Sequence, residues 1–325
     1  MQIQQAIVAA PGGPDVIQWH SVDLPPLKSG EVRVRHQAVG VNYIDTYHRD
    51  GTYPMRMPTG LGREAAGVIT DIGPDVTGFA VGDAVASFAY AGGSYASGAN
   101  LPANTLFKLP ASISPDIAAA SLLKACTTEA LVDRCAKVQA GWTVLVHAAA
   151  GGVGLIMVQW LKAIGAVMIG TVSTLEKAAA AKAAGCDHVI LYRDEDVAAR
   201  VREITHGKGV PVVFDGIGRA TWDISLKSLA RRGLLVSYGN AGGVVTGVNL
   251  GSLAAHGSLF VTRPSFFDYY LEPDDRALGS ARVFDMIGSG KVQIHINHRY
   301  ALTDAAQAHA DLEAGRTSGS IILVP

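Results

Sequence analysis

Cysteine is scarce in this chain. Among 325 residues only Cys126, Cys135 and Cys186 carry a thiol, and they are scattered, odd in number and without a C-x-x-C pair. No disulfide framework is expected, and a reducing compartment, the cytoplasm, is the expected location. Long apolar runs are also missing: nothing approaches the roughly 20 residues that a membrane span needs. The opening stretch MQIQQAIVAAPGGPDV has no basic segment and breaks at Pro11-Gly12-Gly13, so it does not read as a signal peptide. Neither sign of charge dominates. Lys and Arg number 27 against 28 Asp and Glu, a net charge of -1 at pH 7, which gives a nucleic-acid partner no electrostatic footprint. No internal repeat and no low-complexity linker interrupts the chain.

What is present suits a soluble enzyme. Hydrophobic residues make up 49% and charged residues 17%, and the length fits two domains better than a single core. The first 120 or so residues are β-rich. EVRVRHQAVGV alternates as a half-buried strand does, and GREAAGVITDIGPDVTGFAVGDAVASF carries short β-branched runs punctuated by Gly, Pro and Asp. From about residue 122 the rhythm changes. TVLVH, AVMIGTV, HVILY, VPVVFD, LLVSYG and SLFVTR are six short apolar runs that alternate with helical patterns, among them a charged helix from Asp194 and one at TWDISLKSLARRG. That alternation predicts βαβ units and a doubly wound, parallel six-stranded sheet, hence an α/β protein. Ser173-Thr-Leu-Glu176 reads as a capping box, and Gly185 and Gly233 fall at expected helix ends.

The most informative stretch is HAAAGGVG. Ala149-Ala150-Gly151-Gly152-Val153-Gly154 follows a strand and opens a helix, matching the dinucleotide pattern G-x-G-x-x-G with alanine in its first place. A pyrophosphate lying on backbone N–H groups at a helix N-terminus needs such a turn. Side chains at Gly151 or Gly152 would stand in its way, and Gly154 lets the helix pack on the strand. An NAD site wants Asp or Glu about 20 residues further on, to hold the ribose hydroxyl. Here the second strand ends in GTVSTLEK, with Ser173 and then Lys177, and Glu176 is assigned to the helix start. No acid stands there to repel a 2′-phosphate, so NADPH is the expected cofactor.

HAAAGGVG, GVNYIDTYHRDGTYP, SYGNAGG and VTRPS together resemble the quinone oxidoreductases, the zeta-crystallin-like branch of the medium-chain dehydrogenases/reductases. The resemblance runs nearly end to end. It implies a GroES-like catalytic domain made of residues 1–121 and 268–325, an inserted Rossmann domain of residues 122–267, NADPH as cofactor, a small quinone as substrate, and commonly a homodimer. It places Asn42, Tyr47 and Tyr53 in the active site. Asn42 would position the nicotinamide or an acceptor oxygen, and Tyr53 would donate its phenolic hydrogen or stack on a flat ring. Cofactor contacts are implied for Thr127, Gly151, Gly152, Val153, Ser173, Lys177, Tyr192, Tyr238, Gly239, Asn240 and Arg263. Lys124 reads as a hinge or surface residue, and Asp45 and Glu64 as structural hydrogen-bonding groups.

The wider superfamily contains zinc enzymes, so metal has to be considered. Their Gly-His-Glu corresponds to Gly62-Arg63-Glu64, where arginine cannot ligate, and their first cysteine ligand falls near Asn42. There is no cluster of four cysteines, and His295 and His298 on a strand would face opposite sides. No metal is expected. A quinone suits that expectation, because reduction makes it aromatic and it stabilises its own charge. Two other readings remain: an alkenal or enone double-bond reductase on the same scaffold, and a cofactor-loaded RNA-binding or structural protein of the zeta-crystallin kind, which the balanced charge does not support.

Overall fold

The computed structural model describes residues 1–88 and 92–325. Among these residues the chain divides into two compact units, one of Met1–Lys124 with Ile294–Pro325 and one of Ala125–Gln293.

The first unit opens with β1 (Gln2–Val8) and β2 (Ile17–Asp23), which pair antiparallel from Gln2 against Asp23 to Val8 against Ile17. The alternating run becomes β3 (Glu31–Val41), whose first half buries every second residue and whose last four are all buried. Asn42 stops the strand and α1 (Tyr43–Asp50) begins, closed by Gly51 at φ 85°, the left-handed turn that glycine adopts without strain. Then come β4 (Thr59–Gly60), β5 (Glu64–Ile72), β6 (Ala84–Phe88), β7 (Gly98–Pro102) and β8 (Phe107–Lys108). The chain leaves the unit within α2 (Pro115–Glu129).

The second unit supplies β9 (Thr143–Val146), α3 (Gly152–Ile164), β10 (Val167–Val172), α4 (Leu175–Ala183), β11 (His188–Leu191), α5 (Val197–Ile204), β12 (Val210–Asp215), α6 (Trp222–Ser228), β13 (Leu229–Ser237), α7 (Leu250–Ala255), β14 (Phe260–Thr262) and α8 (Pro273–Gly288). Its six strands are all parallel, in the order β11-β10-β9-β12-β13-β14. The order reverses between β9 and β12, the switch point beside which open α/β sheets bind ligands at the carboxyl ends of their strands. Leu145, Ile169, Val213 and Leu235 are fully buried in its core, each worth about 1.5–3 kcal/mol relative to exposure.

Back in the first unit, β15 (Ile296–Ala301), α9 (Ala305–Glu313) and β16 (Ser320–Val324) complete the chain. A seven-stranded sheet runs β15-β16-β3-β5-β6-β8, with β7 also on β3, and β1, β2 and β4 form a separate three-stranded sheet. The expected return of SIILVP is therefore met: β16 lies between β15 and β3.

Three sequence expectations need correction. Residues 268–293 belong to the second unit, because the Tyr270 hydroxyl donates to buried Glu129 at 2.9 Å and Gln159 bonds the backbone of Gln293 in both directions. The cap of α4 is Thr174, not Ser173: its hydroxyl accepts from the Lys177 N–H at 3.2 Å. Gly233 ends no helix. The Ser228 hydroxyl bonds back to the Ile224 carbonyl, α6 stops there, and buried Leu229 opposite Val210 starts β13, within which Gly233 lies.

Candidate active site

In the second unit the site begins where β9 ends. His147 is buried and spans three elements, with Nδ1 3.0 Å from the Thr171 hydroxyl of β10 and Nε2 3.1 Å from the Ser225 hydroxyl of α6. Burial lowers its pKa, against the pull of Asp215, so it is held neutral. The next residue, Ala148, sits at φ 53°, a left-handed conformation that costs a non-glycine residue about 1 kcal/mol or more. Its carbonyl accepts the Gly151 N–H at 2.9 Å, and Gly151 then caps α3 without offering a side chain to the first-turn donors. A Cβ on Gly154 would lie 2.9 Å from the Ala149 Cα and against the Ala148 carbonyl. This glycine thus sets how closely α3 lies on β9. Gly151, Gly152 and Val153 are half-buried, at the mouth of the turn.

The end of β10 carries the second group. The Tyr192 N–H donates to the Val172 carbonyl at 3.2 Å, which brings the end of β11 beside Ser173. Tyr192 is 49% exposed, whereas Lys177 is half-buried. Burial lowers the Lys177 pKa, and the charge of Arg193 lowers it further. Two cations therefore share this strand end. Arg193 was not singled out in the sequence; its position directly after Tyr192, at a strand end, was the available signal.

The third group lies on β12 and β13. Gly216 and Gly239 have no room for side chains: a Cβ on Gly216 would meet the Tyr238 ring at 2.9 Å, and one on Gly239 would meet the Gly216 backbone. Buried Asp215 holds the turn by accepting from the N–H groups of Ile217 and Gly218 and from the hydroxyls of Thr221 and Ser225. It too was overlooked as an organiser, although it stands at a strand end before Gly-Ile-Gly. Asn240 is buried. Arg263, after β14, donates to the Ser237 hydroxyl at 3.2 Å and to the Gly239 carbonyl at 2.8 Å, so it pins the β13 turn. Thr127 is half-buried on α2.

In the first unit the candidate residues surround α1. Asn42 is buried at the helix start, where its backbone N–H donates to Asp45 Oδ2 at 2.9 Å and its side-chain NH2 donates to Glu64 Oε2 at 2.8 Å. Tyr47 is 7% exposed and packs between Tyr43 and Tyr53, with ring centroids at 5.5 and 5.0 Å. Tyr53 is half-buried, and its N–H donates to the Tyr47 carbonyl. Of the three, Tyr47 and Tyr53 are packed ring to ring, while Asn42 stands at the start of the same helix with its side chain on Glu64.

Beneath them runs a chain of ionisable groups. Arg49 makes two hydrogen bonds to Glu313, at 2.9 and 2.8 Å, and donates to His309 Nδ1 at 3.0 Å. An arginine only donates, so the proton of neutral His309 sits on Nε2. That nitrogen donates to the Tyr95 oxygen at 2.9 Å, and the Tyr95 hydroxyl donates to Asp45 Oδ2 at 3.1 Å. Burial, then the Arg49 charge, hold the His309 pKa down to about 3. Burial pushes Asp45 up to about 7, and its Oδ1 has no partner among the described residues. Arg63 contacts His48, whose Nε2 is 3.0 Å from the guanidinium; burial, then Arg63, lower His48 to about 4. Among the described residues no group of three or more His, Cys, Asp or Glu side chains gathers to hold a metal ion.

The chain matches a protein-family model described as "Zinc-binding dehydrogenase" over residues 152–267 and one described as "Alcohol dehydrogenase GroES-like domain" over residues 28–111. It is 48% identical, over 98% of each chain, to the quinone oxidoreductase of Pseudomonas aeruginosa. The chain belongs to the quinone oxidoreductase family. Its fold superposes on the crystal structure of Escherichia coli quinone oxidoreductase complexed with NADPH with a TM-score of 0.95, at 45% identity, covering 99% of this chain and 100% of that one. It is also 41% identical, over 99% of each chain, to the 2-haloacrylate reductase of a Burkholderia species. Within this quinone oxidoreductase scaffold the expected GroES-like and Rossmann parts are both present. No helix among the described residues is long and apolar enough to cross a membrane.

Proposed function

We propose that this protein is an NADPH-dependent quinone reductase that transfers hydride to a small quinone without a metal. The observation that carries the cofactor choice is that Lys177 and Arg193 lie close enough for their charges to act on each other beyond the end of β10, where Ser173 rather than an acid follows the strand, one strand over from the glycine turn. The residues fit NADPH. The cradle formed by Gly151, Gly152 and Val153 would take the pyrophosphate, Gly154 keeps α3 close, and Ser173, Lys177, Tyr192 and Arg193 would hold the adenosine end with its 2′-phosphate. Thr127, Tyr238, Gly239, Asn240 and the Arg263-pinned turn would line the path toward the nicotinamide. When bound, a reduced nicotinamide supplies the hydride.

The protein then supplies geometry and electrostatics. Arg63 stands where zinc enzymes carry histidine, and its guanidinium is turned to His48, a donor set unfit for a metal. Asn42 would orient a reactant, the Tyr53 hydroxyl would donate to the acceptor oxygen, and Tyr47 would hold the Tyr53 ring. A quinone, aromatic once reduced, needs little more. The family resemblance supports a homodimer acting in the cytoplasm. β14 supports the dimer too, since this edge strand leaves Phe260 61% exposed; sedimentation of the purified chain would measure the dimer.

The identity to a 2-haloacrylate reductase favours a second reading, reduction of a conjugated carbon–carbon double bond. Steady-state oxidation of NADPH with 1,4-benzoquinone, 1,4-naphthoquinone and an α,β-unsaturated aldehyde separates the two. The quinones should show the larger kcat/KM. Turnover of the aldehyde alone would replace the proposal with the second reading, and an NADH preference would overturn the cofactor assignment.

A further inference from the structure

Resting on that reading, we propose that Glu64 is a positioning residue that fixes the polarity of the Asn42 amide, so that Asn42 meets its ligand with the carbonyl oxygen, an acceptor for an N–H or O–H donor. The argument is one of hydrogen-bond valence. Glu64 is fully buried, and both its oxygens are committed: Oε1 accepts the Leu123 N–H at 2.7 Å, and Oε2 accepts the Asn42 NH2 at 2.8 Å with the Lys124 ammonium at 3.5 Å. In the carboxylate form that Lys124 favours, Glu64 offers only acceptors, so the NH2 end of Asn42 faces it. The two ends of an amide diverge, which turns the Asn42 oxygen away from Glu64. The neighbourhood is shaped for this carboxylate. A Cβ on Gly40 would run into Glu64 Oε2 and the Ala119 carbonyl, so the strand carries glycine where Glu64 needs room. Burial raises the Glu64 pKa, and the buried Lys124 ammonium opposes that rise and favours the carboxylate.

One sequence reading is corrected and a second is extended. Lys124 is not a surface residue: it is 5% exposed and sits against Glu64, at the last position of the first unit before the chain enters the second. Glu64 acts on the reaction through Asn42 rather than only filling the fold.

The inference is tested by exchanging the pair. In Glu64→Gln the side chain keeps its size but offers one acceptor and one donor. The Leu123 N–H is backbone and cannot turn, so it takes the new carbonyl. The new NH2 then faces Asn42, whose amide must flip, whereas the ammonium of Lys124 at 3.5 Å is flexible enough to move. Asn42→Asp alone sets two carboxylates against each other. The double variant Glu64→Gln/Asn42→Asp restores a donor facing an acceptor, keeps the net charge of the pair, and again turns an oxygen toward the ligand. Each single variant should lose about tenfold in kcat/KM for benzoquinone, and the double should recover most of it.

The two sources of a ligand donor separate in the same data. Rescue of the NADPH dissociation constant, read by fluorescence, assigns the donor to the nicotinamide carboxamide. Rescue confined to kcat assigns it to the hydroxyl forming on the reduced acceptor. A folded double variant no better than the worse single variant in either readout overturns the inference, because mere packing by Glu64 would not be restored at position 42. Wild-type turnover with benzoquinone tests the underlying reading separately. If Glu64→Gln does not fold, selective ¹⁵N labelling of asparagine in the wild-type protein decides. One Asn42 NH2 proton should be shifted strongly downfield by the carboxylate, and two ordinary amide shifts would refute the assignment.

Discussion

Both units bury charge, the second at Asp215 and Glu129, but their candidate sites are built in different ways. The second, contiguous in sequence, keeps an aliphatic core under its sheet and places its candidate site on backbone turns at the strand ends. The first surrounds its candidate residues with charge: Asp45, Arg49, Arg63, Glu64 and Lys124 are all buried, with His36, His48 and His309 among them. A site made of backbone is specified by what is absent, namely side chains. A site made of ionisable groups is specified by partners that must all be present, since a half-satisfied network in a dry interior is costly. The two should therefore fail differently.

Acid should give the largest effect, and it should fall on the first unit. Burial depresses the pKa of His36 and His48 to about 4 and of His309 to about 3. Between those values and the ordinary 6.5 the unfolded chain binds protons that the folded chain does not. The stabilisation is thus complete above about pH 6.5 and is lost as pH falls through about 4, several kcal/mol in sum. Asp45 works the other way: raised to about 7, it holds a proton in the fold between about pH 4 and 7, and its contribution declines as pH rises. Asp45→Asn should leave the acid loss steeper. Hydrogen exchange resolved by peptide should show β3 and α9 opening first on acidification, and equal opening of β9 and β12 would break the comparison.

Backbone crowding comes next. Gly154→Val drives a side chain into Ala148 and Ala149 and should cost about 3 kcal/mol of second-unit stability, read as a fall in the denaturant midpoint. Gly152→Val leaves the fold largely intact but should weaken NADPH about a hundredfold by blocking the phosphates; unchanged affinity in a fluorescence titration would misplace them. The smallest effect is Lys177→Ala, about tenfold on NADPH with NADH nearly unaffected, and equal losses for both would remove the argument for the 2′-phosphate.

The same contrast explains what could be read in advance. Six apolar runs, the turn at Gly151–Gly154 and the basic end of β10 are local patterns, and local patterns survive in one dimension. Errors there were of one or two residues, as at Thr174, or of propensity overridden by the sheet, as where Leu229 pairs with Val210. The network of the first unit has no such trace. Arg49 and His309 are 260 positions apart, and nothing in YIDTYHRD says that its arginine will meet AAQAHADLE. Glu64 was read as structural because its two acceptors become meaningful only once Leu123 and Asn42 stand beside it.

The place of β16 between β15 and β3 sets an order of assembly. Until Ile321, Ile322 and Leu323 emerge, the edge of β3 at Val39, Gly40 and Val41 has no neighbour on that side. During synthesis the inserted unit is complete while the discontinuous one still waits for β16, with an open, apolar edge on β3 next to Asn42. The nascent chain therefore passes through a stage at which the nucleotide platform is finished and the half holding Asn42 is not, and the final five-residue ribbon is what closes it.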